Sequence, residues 1–211
     1  MSIPLLQKPN VSIPALPICN VGAVANMVRK CGGVPHIIQN PNDLISAEHV
    51  IIAGVGSFDA GMRALKSGGW ISPLQEIVEN GKIPILGICL GMQLMCRQSE
   101  EGATSGLAWF EADVRRLDTQ NQMLKVPHMG WNTIKIVNPN VLISELSEEQ
   151  RFYFVHSYHV VCDNSNYISA TTNFGIDITA AINRNQIYGT QFHPEKSHRF
   201  GMRVIQQFLT L

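Results

Sequence analysis

The sequence predicts one α/β domain of three layers, a doubly wound and mainly parallel sheet held between helices, with an antiparallel section added to it. Three observations carry that prediction. Through residues 11–98, short apolar runs alternate with stretches of helical periodicity, the pattern of parallel strands joined by crossover helices. The run Ile83 to Cys89 (IPILGIC) is nearly all apolar, as a central strand buried on both faces must be. Beyond residue 108 the chain changes to short strand-like segments with brief connections.

Met1 to Asn10 reads as an extension ahead of a single domain spanning residues 11–211. Val11 to Leu16 (VSIPAL) is a first strand, weakened by Pro14. Asn20 has the side chain to cap a helix that runs to about Cys31, where Gly32-Gly33 stops it. Val34 to Gln39 and His49 to Gly54 (HVIIAG) are the second and third strands. Helical patterns follow over Phe58 to Lys66 and Ile71 to Asn80. The Ile83 to Cys89 strand then leads directly into a helix over Leu90 to Gln98. In the second half, Trp109 to Leu117, Thr133 to Val137, Arg151 to Cys162, Tyr167 to Asn173 and Ile178 to Asn183 read as strands. Asn183-Arg184-Asn185 marks a hairpin turn. A last helix places Phe200, Val204 and Phe208 on one face.

Composition narrows the function classes. Sixteen basic residues balance sixteen acidic ones, so no charge footprint for nucleic acid or an anionic membrane exists. No apolar run approaches the roughly 20 residues of a membrane span. The five cysteines (Cys19, Cys31, Cys89, Cys96 and Cys162) are odd in number and lack CxxC spacing. That argues against a disulfide framework or a zinc site and for a reducing, cytoplasmic setting. No internal repeat or signal-peptide pattern is visible.

Gly87-Ile88-Cys89-Leu90-Gly91 is the sharpest local signal. A nucleophile at a strand-to-helix junction sits on a tight, strained turn, and a glycine on either side relieves the crowding. Its side chain then stands at the carboxyl end of a strand, where open α/β sheets bind ligands. The helix N-terminus beneath it favours a thiolate, and the Leu90 N–H can face a developing oxyanion. A buried structural cysteine is the usual alternative; the elbow sets Cys89 apart, while Cys96, in an apolar-rich helix, reads as core.

A thiol nucleophile needs a base and a group to orient that base. His193 stands out among seven histidines because it closes the strand-like stretch from Ile187 in Gly189-Thr190-Gln191-Phe192-His193-Pro194-Glu195. Pro194 stiffens the exit, and Glu195 sits two residues on, within reach of the imidazole. The candidate triad is therefore Cys89, His193 and Glu195.

GICLGMQLM at 87–95 with GTQFHPEKS at 189–197 resembles the class I (triad) glutamine amidotransferases, whose sheet is flavodoxin-like. Gly54-Val55-Gly56-Ser57-Phe58, the stretch Val126-Pro127-His128-Met129-Gly130-Trp131-Asn132, and Tyr153-Phe154-Val155-His156-Ser157-Tyr158 are similar to the glutaminase subunits of imidazole glycerol phosphate synthases. The resemblance covers residues 11–211. It implies Cys89 as nucleophile, His193 as base and Glu195 as orienter, with Val55, Gly56 and Leu90 forming the oxyanion hole. It implies further that Gly54, Gln93, His156, Ser157 and Tyr158 hold L-glutamine, and that Asn20, Met129 and Trp131 face a (β/α)8-barrel synthase in a heterodimer. No metal or organic cofactor is implied.

Departures from the family pattern occur in two places. Leu16-Pro17-Ile18-Cys19-Asn20 keeps the Asn of the first loop but loses its two glycines, and Ala53 replaces the usual Pro. Asn26 to Lys30 and Ser57 to Met62 are closer to paralogues that supply ammonia to a sugar-modifying amidotransferase in surface-polysaccharide synthesis. The expected chemistry is thioester hydrolysis of glutamine, with ammonia passed to a synthase that makes imidazole glycerol phosphate and AICAR. Two rival readings are a stand-alone cysteine hydrolase with an open cleft and a degenerate subunit that only scaffolds its partner.

Overall fold

The computed structural model describes residues 8–18, 20–118, 124–144 and 149–211. The first half runs β1 (Asn10–Pro14), α1 (Val21–Lys30), β2 (Val34–Ile38), β3 (His49–Gly54), α2 (Phe58–Ser67), α3 (Ile71–Asn80), β4 (Ile85–Cys89) and the short α4 (Leu90–Leu94). The second half runs β5 (Ala112–Arg116), β6 (His128–Thr133), β7 (Lys135–Ile136), β8 (Arg151–His156), β9 (Tyr158–Cys162), β10 (Ile168–Asn173), β11 (Asp177–Arg184), β12 (Ile187–Thr190) and α5 (His198–Phe208). One eight-stranded sheet takes the order β2-β1-β3-β4-β12-β11-β10-β7. Its first five strands are mutually parallel, and β11, β10 and β7 continue it antiparallel. The predicted doubly wound sheet with an antiparallel section is thus the observed architecture.

Alternation along the central strands sorts the core into two layers. Ile51 and Ala53 of β3 pack beneath α1 and α5, with Val24, Val28, Val204 and Phe208. Val50 and Ile52 point the other way, against Phe58, Leu65 and Leu74 of α2 and α3. Fully burying a side chain such as Leu65 or Leu74 is worth about 1.5–3 kcal/mol, so the opposite-facing pairs on one strand fasten helices to both sides. The Asn20 side chain accepts from the Ala23 N–H at 3.3 Å and caps α1.

Four differences from the sequence reading have local causes. Asn10 already pairs with Val34, so the sheet begins one residue before the predicted boundary. The helix after Cys89 ends at Leu94 rather than Gln98, because Arg97 and Glu100 donate their N–H groups to Ala112 and Val114 and lie along β5. Arg151 to Cys162 is two strands: β8 pairs with β6 and β9 with β5, the break falling at Ser157, whose carbonyl accepts from Leu117. The segment at 128–133, to which no secondary structure was assigned, is a strand, and only Lys135–Ile136 of the predicted 133–137 strand joins the main sheet. The hairpin turn is present, with Asn185 at φ 53° and the Asn183 amide donating to the Asn185 and Ile187 carbonyls. Among the described residues, no helix is long and apolar enough to cross a membrane.

Candidate active site

Strand register assembles the site. Cys89 ends β4 opposite Gly54 of β3, and Ile88 lies opposite Thr190 of β12. The segments 54–56, 87–91 and 189–195 therefore emerge side by side at one edge of the parallel sheet, although they are far apart in sequence. Cys89 is held at φ 54° and ψ −108°, a region that costs a non-glycine residue about 1–3 kcal/mol. Both flanking glycines have steric reasons. A Cβ on Gly87 would sit 2.7 Å from the Met92 nitrogen, and one on Gly91 would collide with the Ile52 carbonyl oxygen of β3. Larger residues would force the elbow away from the sheet.

His193 follows β12 and is 1% exposed, its N–H donating to the Tyr153 carbonyl at 2.9 Å. Its carbonyl accepts the Ser197 hydroxyl, and Gly201 lets α5 approach the Pro194 carbonyl closely. Nδ1 lies 2.7 Å from Glu195 Oε1, so the carboxylate fixes the Nδ1–H form and leaves Nε2 on the side of Cys89. Nε2 makes no hydrogen bond among the described residues, yet it is close enough to the sulfur for the two to interact electrostatically. Burial alone would lower the imidazole pKa. The Cys89 and Glu195 groups outweigh it and hold the value at about 9. At neutral pH the ring therefore carries the proton that an acid would give to a leaving amine.

A cavity of about 480 Å³ opens over this edge, with Cys89, Leu90, Gln93, His156, Ser157 and Tyr158 in its wall. Val55 and Gly56 line it too, but the expected hole is incomplete. The Val55 N–H donates to the Ile18 carbonyl at 2.8 Å, so in this conformation it is not available to an oxyanion. Leu90, first residue of α4, has an N–H without an intrahelical acceptor. Gly54 itself is buried, with the Leu90 and Ile18 side chains beside it, and does not line the cavity. Of the positions expected to face a partner, Met129 and Trp131 are 62% and 45% exposed on β6, with Trp131 stacked on His198. Asn20 is exposed as well as capping α1. A larger cleft of about 680 Å³ beside β2 has no cysteine in its lining.

Sequence reasoning missed three contributors. Glu101 lines the cavity and accepts the Phe58 N–H at 2.8 Å, capping α2 from a distant loop. Gln191 is fully buried with its amide nitrogen 3.6 Å from the Cys89 sulfur. His128, read only as part of a surface segment, is buried between Phe154 and Phe174 and bonded to His156. No local pattern marks Glu101 or His128. Gln191 stood inside the motif that singled out His193.

Donor logic fixes the histidine pair. His156 Nδ1 must donate to the Tyr158 carbonyl at 2.8 Å, so its Nε2 accepts from His128 Nδ1 at 3.0 Å. His128 Nε2 then accepts from the Asn132 amide at 3.2 Å, which also donates to the Asn173 carbonyl. Both rings are neutral. Burial drives the pKa of His128 down to about 4 and that of His156 to about 3. The unfolded chain takes up protons near pH 6.5 that the folded chain refuses, so their stabilisation is complete above that pH and lost as pH falls toward 4. His193, with its raised value, already contributes fully at the top of this window and does not add to the loss. The expected cost at pH 5 is on the order of 2 kcal/mol per histidine. Urea midpoints at pH 6.5 and 5 test this; equal midpoints would mean the rings protonate in place.

Comparison with known proteins follows the same residues. The family model described as glutamine amidotransferase class-I matches residues 20–211. The chain is 45% identical over 190 residues to imidazole glycerol phosphate synthase subunit HisH 2 of Methanococcus maripaludis, covering 90% of this chain and 94% of that protein. It is 41% identical to the subunit HisH of Leptospira borgpetersenii, covering 91% and 95%. The HisH 2 of Pseudomonas aeruginosa is likewise 41% identical, with the same coverage. Among solved structures, PurLQS from Thermotoga maritima superposes with a TM-score of 0.72 at 16% identity, covering 97% of this chain and 99% of that one. A glutamine amidotransferase from Thermotoga maritima gives 0.66 at 18% identity, covering 90% and 77%. At such identities the structures speak for the fold alone.

Proposed function

The chain belongs to the class-I glutamine amidotransferase family, and on that premise we propose that it is the glutaminase subunit of an imidazole glycerol phosphate synthase. It hydrolyses L-glutamine and delivers ammonia to a separate (β/α)8-barrel synthase subunit in histidine biosynthesis. The observation that carries the reading is the Cys89–His193–Glu195 constellation at the ends of adjacent parallel strands, in a chain about nine-tenths of which aligns with proteins of that name. Those names favour this acceptor over a sugar-modifying one.

The residues divide the work as follows. The Cys89 sulfur attacks the side-chain carbonyl carbon of glutamine. The Leu90 N–H stabilises the oxyanion, with a second donor from the 55–56 segment once its peptide is freed from Ile18. His193 gives its proton to the departing nitrogen, ammonia leaves, and a thioester remains on Cys89. Water, deprotonated by His193, then attacks the thioester and releases glutamate. Among the described residues of the cavity wall, Glu101 carries the one carboxylate, which suits the α-ammonium of glutamine. Gln93, Ser157 and the Tyr158 backbone offer polar contacts for the rest of the substrate. Ammonia must be kept from bulk water, which suits the exposed Met129 and Trp131 as part of a sealed partner surface.

The test is glutamine turnover by the chain mixed with a histidine-type barrel synthase and, separately, with a sugar-type amidotransferase. Stimulation by the first, with imidazole glycerol phosphate formed, is expected. Stimulation by the second alone would transfer the protein to the sugar pathway, and turnover of unrelated amides without any partner would make it a stand-alone hydrolase.

A further inference from the structure

We propose that Gln191 is a positioning residue for the nucleophile: its carboxamide N–H holds the Cys89 sulfur in line for attack and stabilises negative charge on it. The inference rests on the glutaminase reading and adds a residue to its machinery.

The orientation of the Gln191 amide follows from its neighbours. The Tyr158 carbonyl can only accept, and it receives the Gln93 amide nitrogen at 3.0 Å as well as His156 Nδ1 at 2.8 Å. The Gln93 end facing it is therefore an NH₂ group. That same NH₂ lies 3.0 Å from the oxygen of Gln191. With its oxygen committed to Gln93, Gln191 must turn its own NH₂ toward the Cys89 sulfur, 3.6 Å away. The opposite flip would set oxygen against sulfur and nitrogen against nitrogen.

Rigidity supports the role. Gln191 is 0% exposed and Gln93 is 5% exposed. The Gln191 backbone N–H is pinned to the Ala180 carbonyl at 2.9 Å, just beyond the end of β12. The hydrogen-bond network extends further: the Tyr158 carbonyl accepts from both Gln93 and His156, His156 accepts from His128, and His128 from Asn132 on β6. A donor so fixed needs no reorganisation when charge develops on sulfur, which is the condition under which a hydrogen bond counts most in catalysis. A hydrogen bond to a charged group is worth about 1.5–3 kcal/mol, or roughly 10- to 150-fold in rate. Charge develops on sulfur as the thioester breaks, so the loss belongs in kcat.

Two variants separate this role from packing. Gln191→Met keeps the length of the side chain and removes both hydrogen bonds. Gln191→Glu keeps an acceptor for Gln93 and, as the carboxylate, exchanges the donor facing sulfur for a negatively charged oxygen. Both are expected to lower the glutaminase kcat of the synthase complex about 10- to 100-fold, with KM for glutamine changed less than about threefold. Alkylation of Cys89 by iodoacetamide at pH 7, which needs no recognition of glutamine, should slow in parallel in both. Loss in Gln191→Met with Gln191→Glu spared would overturn the proposal, placing the effect in Gln93. A rise in KM at constant kcat would overturn it too, since Gln191 would then bind substrate. Because the alkylation rate reports on sulfur directly, it decides the matter even if glutamine is not the substrate, whereas absence of glutamine turnover in the unmodified complex would count against the glutaminase reading alone.

Discussion

Replacing Cys89 with alanine or serine is expected to abolish glutamine-dependent synthesis, by roughly six orders of magnitude as for the nucleophile of another triad, while synthesis from added ammonium salt continues at its normal rate. The asymmetry follows from the division of labour. Cys89 supplies the bond to glutamine, and the synthase subunit needs only ammonia. Alanine keeps the backbone of the elbow, whose strain lies in the φ of residue 89 and whose room depends on Gly87 and Gly91. A glutamine-like diazo-ketone should accordingly label Cys89 alone. Cys96 is fully buried with its thiol pushed well up, and burial raises Cys31 to about 11 and Cys162 to about 12; Cys19 lies outside the described residues. Equal loss of the glutamine and ammonia activities would show instead that Cys89 supports docking or folding, and label on Cys31 or Cys162 would undo the assignment.

What could be read from the sequence was what local physics dictates. Ile85–Cys89 is apolar on both faces because it is central in the sheet, and Gly87 and Gly91 flank Cys89 because their Cβ positions are filled by backbone. Such constraints leave residue types behind at fixed spacing. His193 and Glu195 were legible for the same reason: both belong to one short exit from a strand. Features set by tertiary pairing left no such trace. The alternating stretch RFYFVHSYHVVC reads as one strand, since nothing at Ser157 breaks its pattern, but its halves belong to different small sheets. The 90–98 helix was cut short by carbonyls of a strand that had not yet appeared in the chain. Glu101 and His128 reach the site from loops and strands whose position only the folded topology decides.

The same distinction explains the oxyanion segment. Gly54-Val55-Gly56 was recognisable, but its state was not, because that state depends on a contact with the first loop. There the Ile18 carbonyl stands where it can accept the Val55 N–H. The Ile18 side chain also packs within 3.3 Å of the position a Gly54 Cβ would occupy, so both its carbonyl and its side chain hold the segment.

The second large effect expected is activation by the partner. With the Val55 N–H bonded to the Ile18 carbonyl, the free chain lacks that donor for an oxyanion. Removing one such donor from a hydrolase costs about 100- to 1000-fold in kcat, so a synthase that frees the segment should raise the glutaminase kcat by about that factor. KM should change little, because the missing donor acts in the transition state and not in binding glutamine. Freeing the donor requires rotation of the peptides around Val55, and Gly56 is the joint that permits it. Its φ is 107°, a conformation closed to side-chain-bearing residues, yet a Cβ there would meet nothing within 4 Å. Gly56→Val therefore tests conformation without adding a clash, and β-branching resists the angles that a flip needs. Because Val cannot hold the φ of 107° that the resting segment uses, the variant is expected to disturb the free chain's segment as well and to shrink the ratio of complex to free rate. Gly54→Val is a poorer probe, since it would also crowd Leu90 and Ile18. Steady-state glutaminase kinetics with and without the synthase decide the question. If the free chain already turns over glutamine at the rate of the complex, the Ile18–Val55 bond gates nothing.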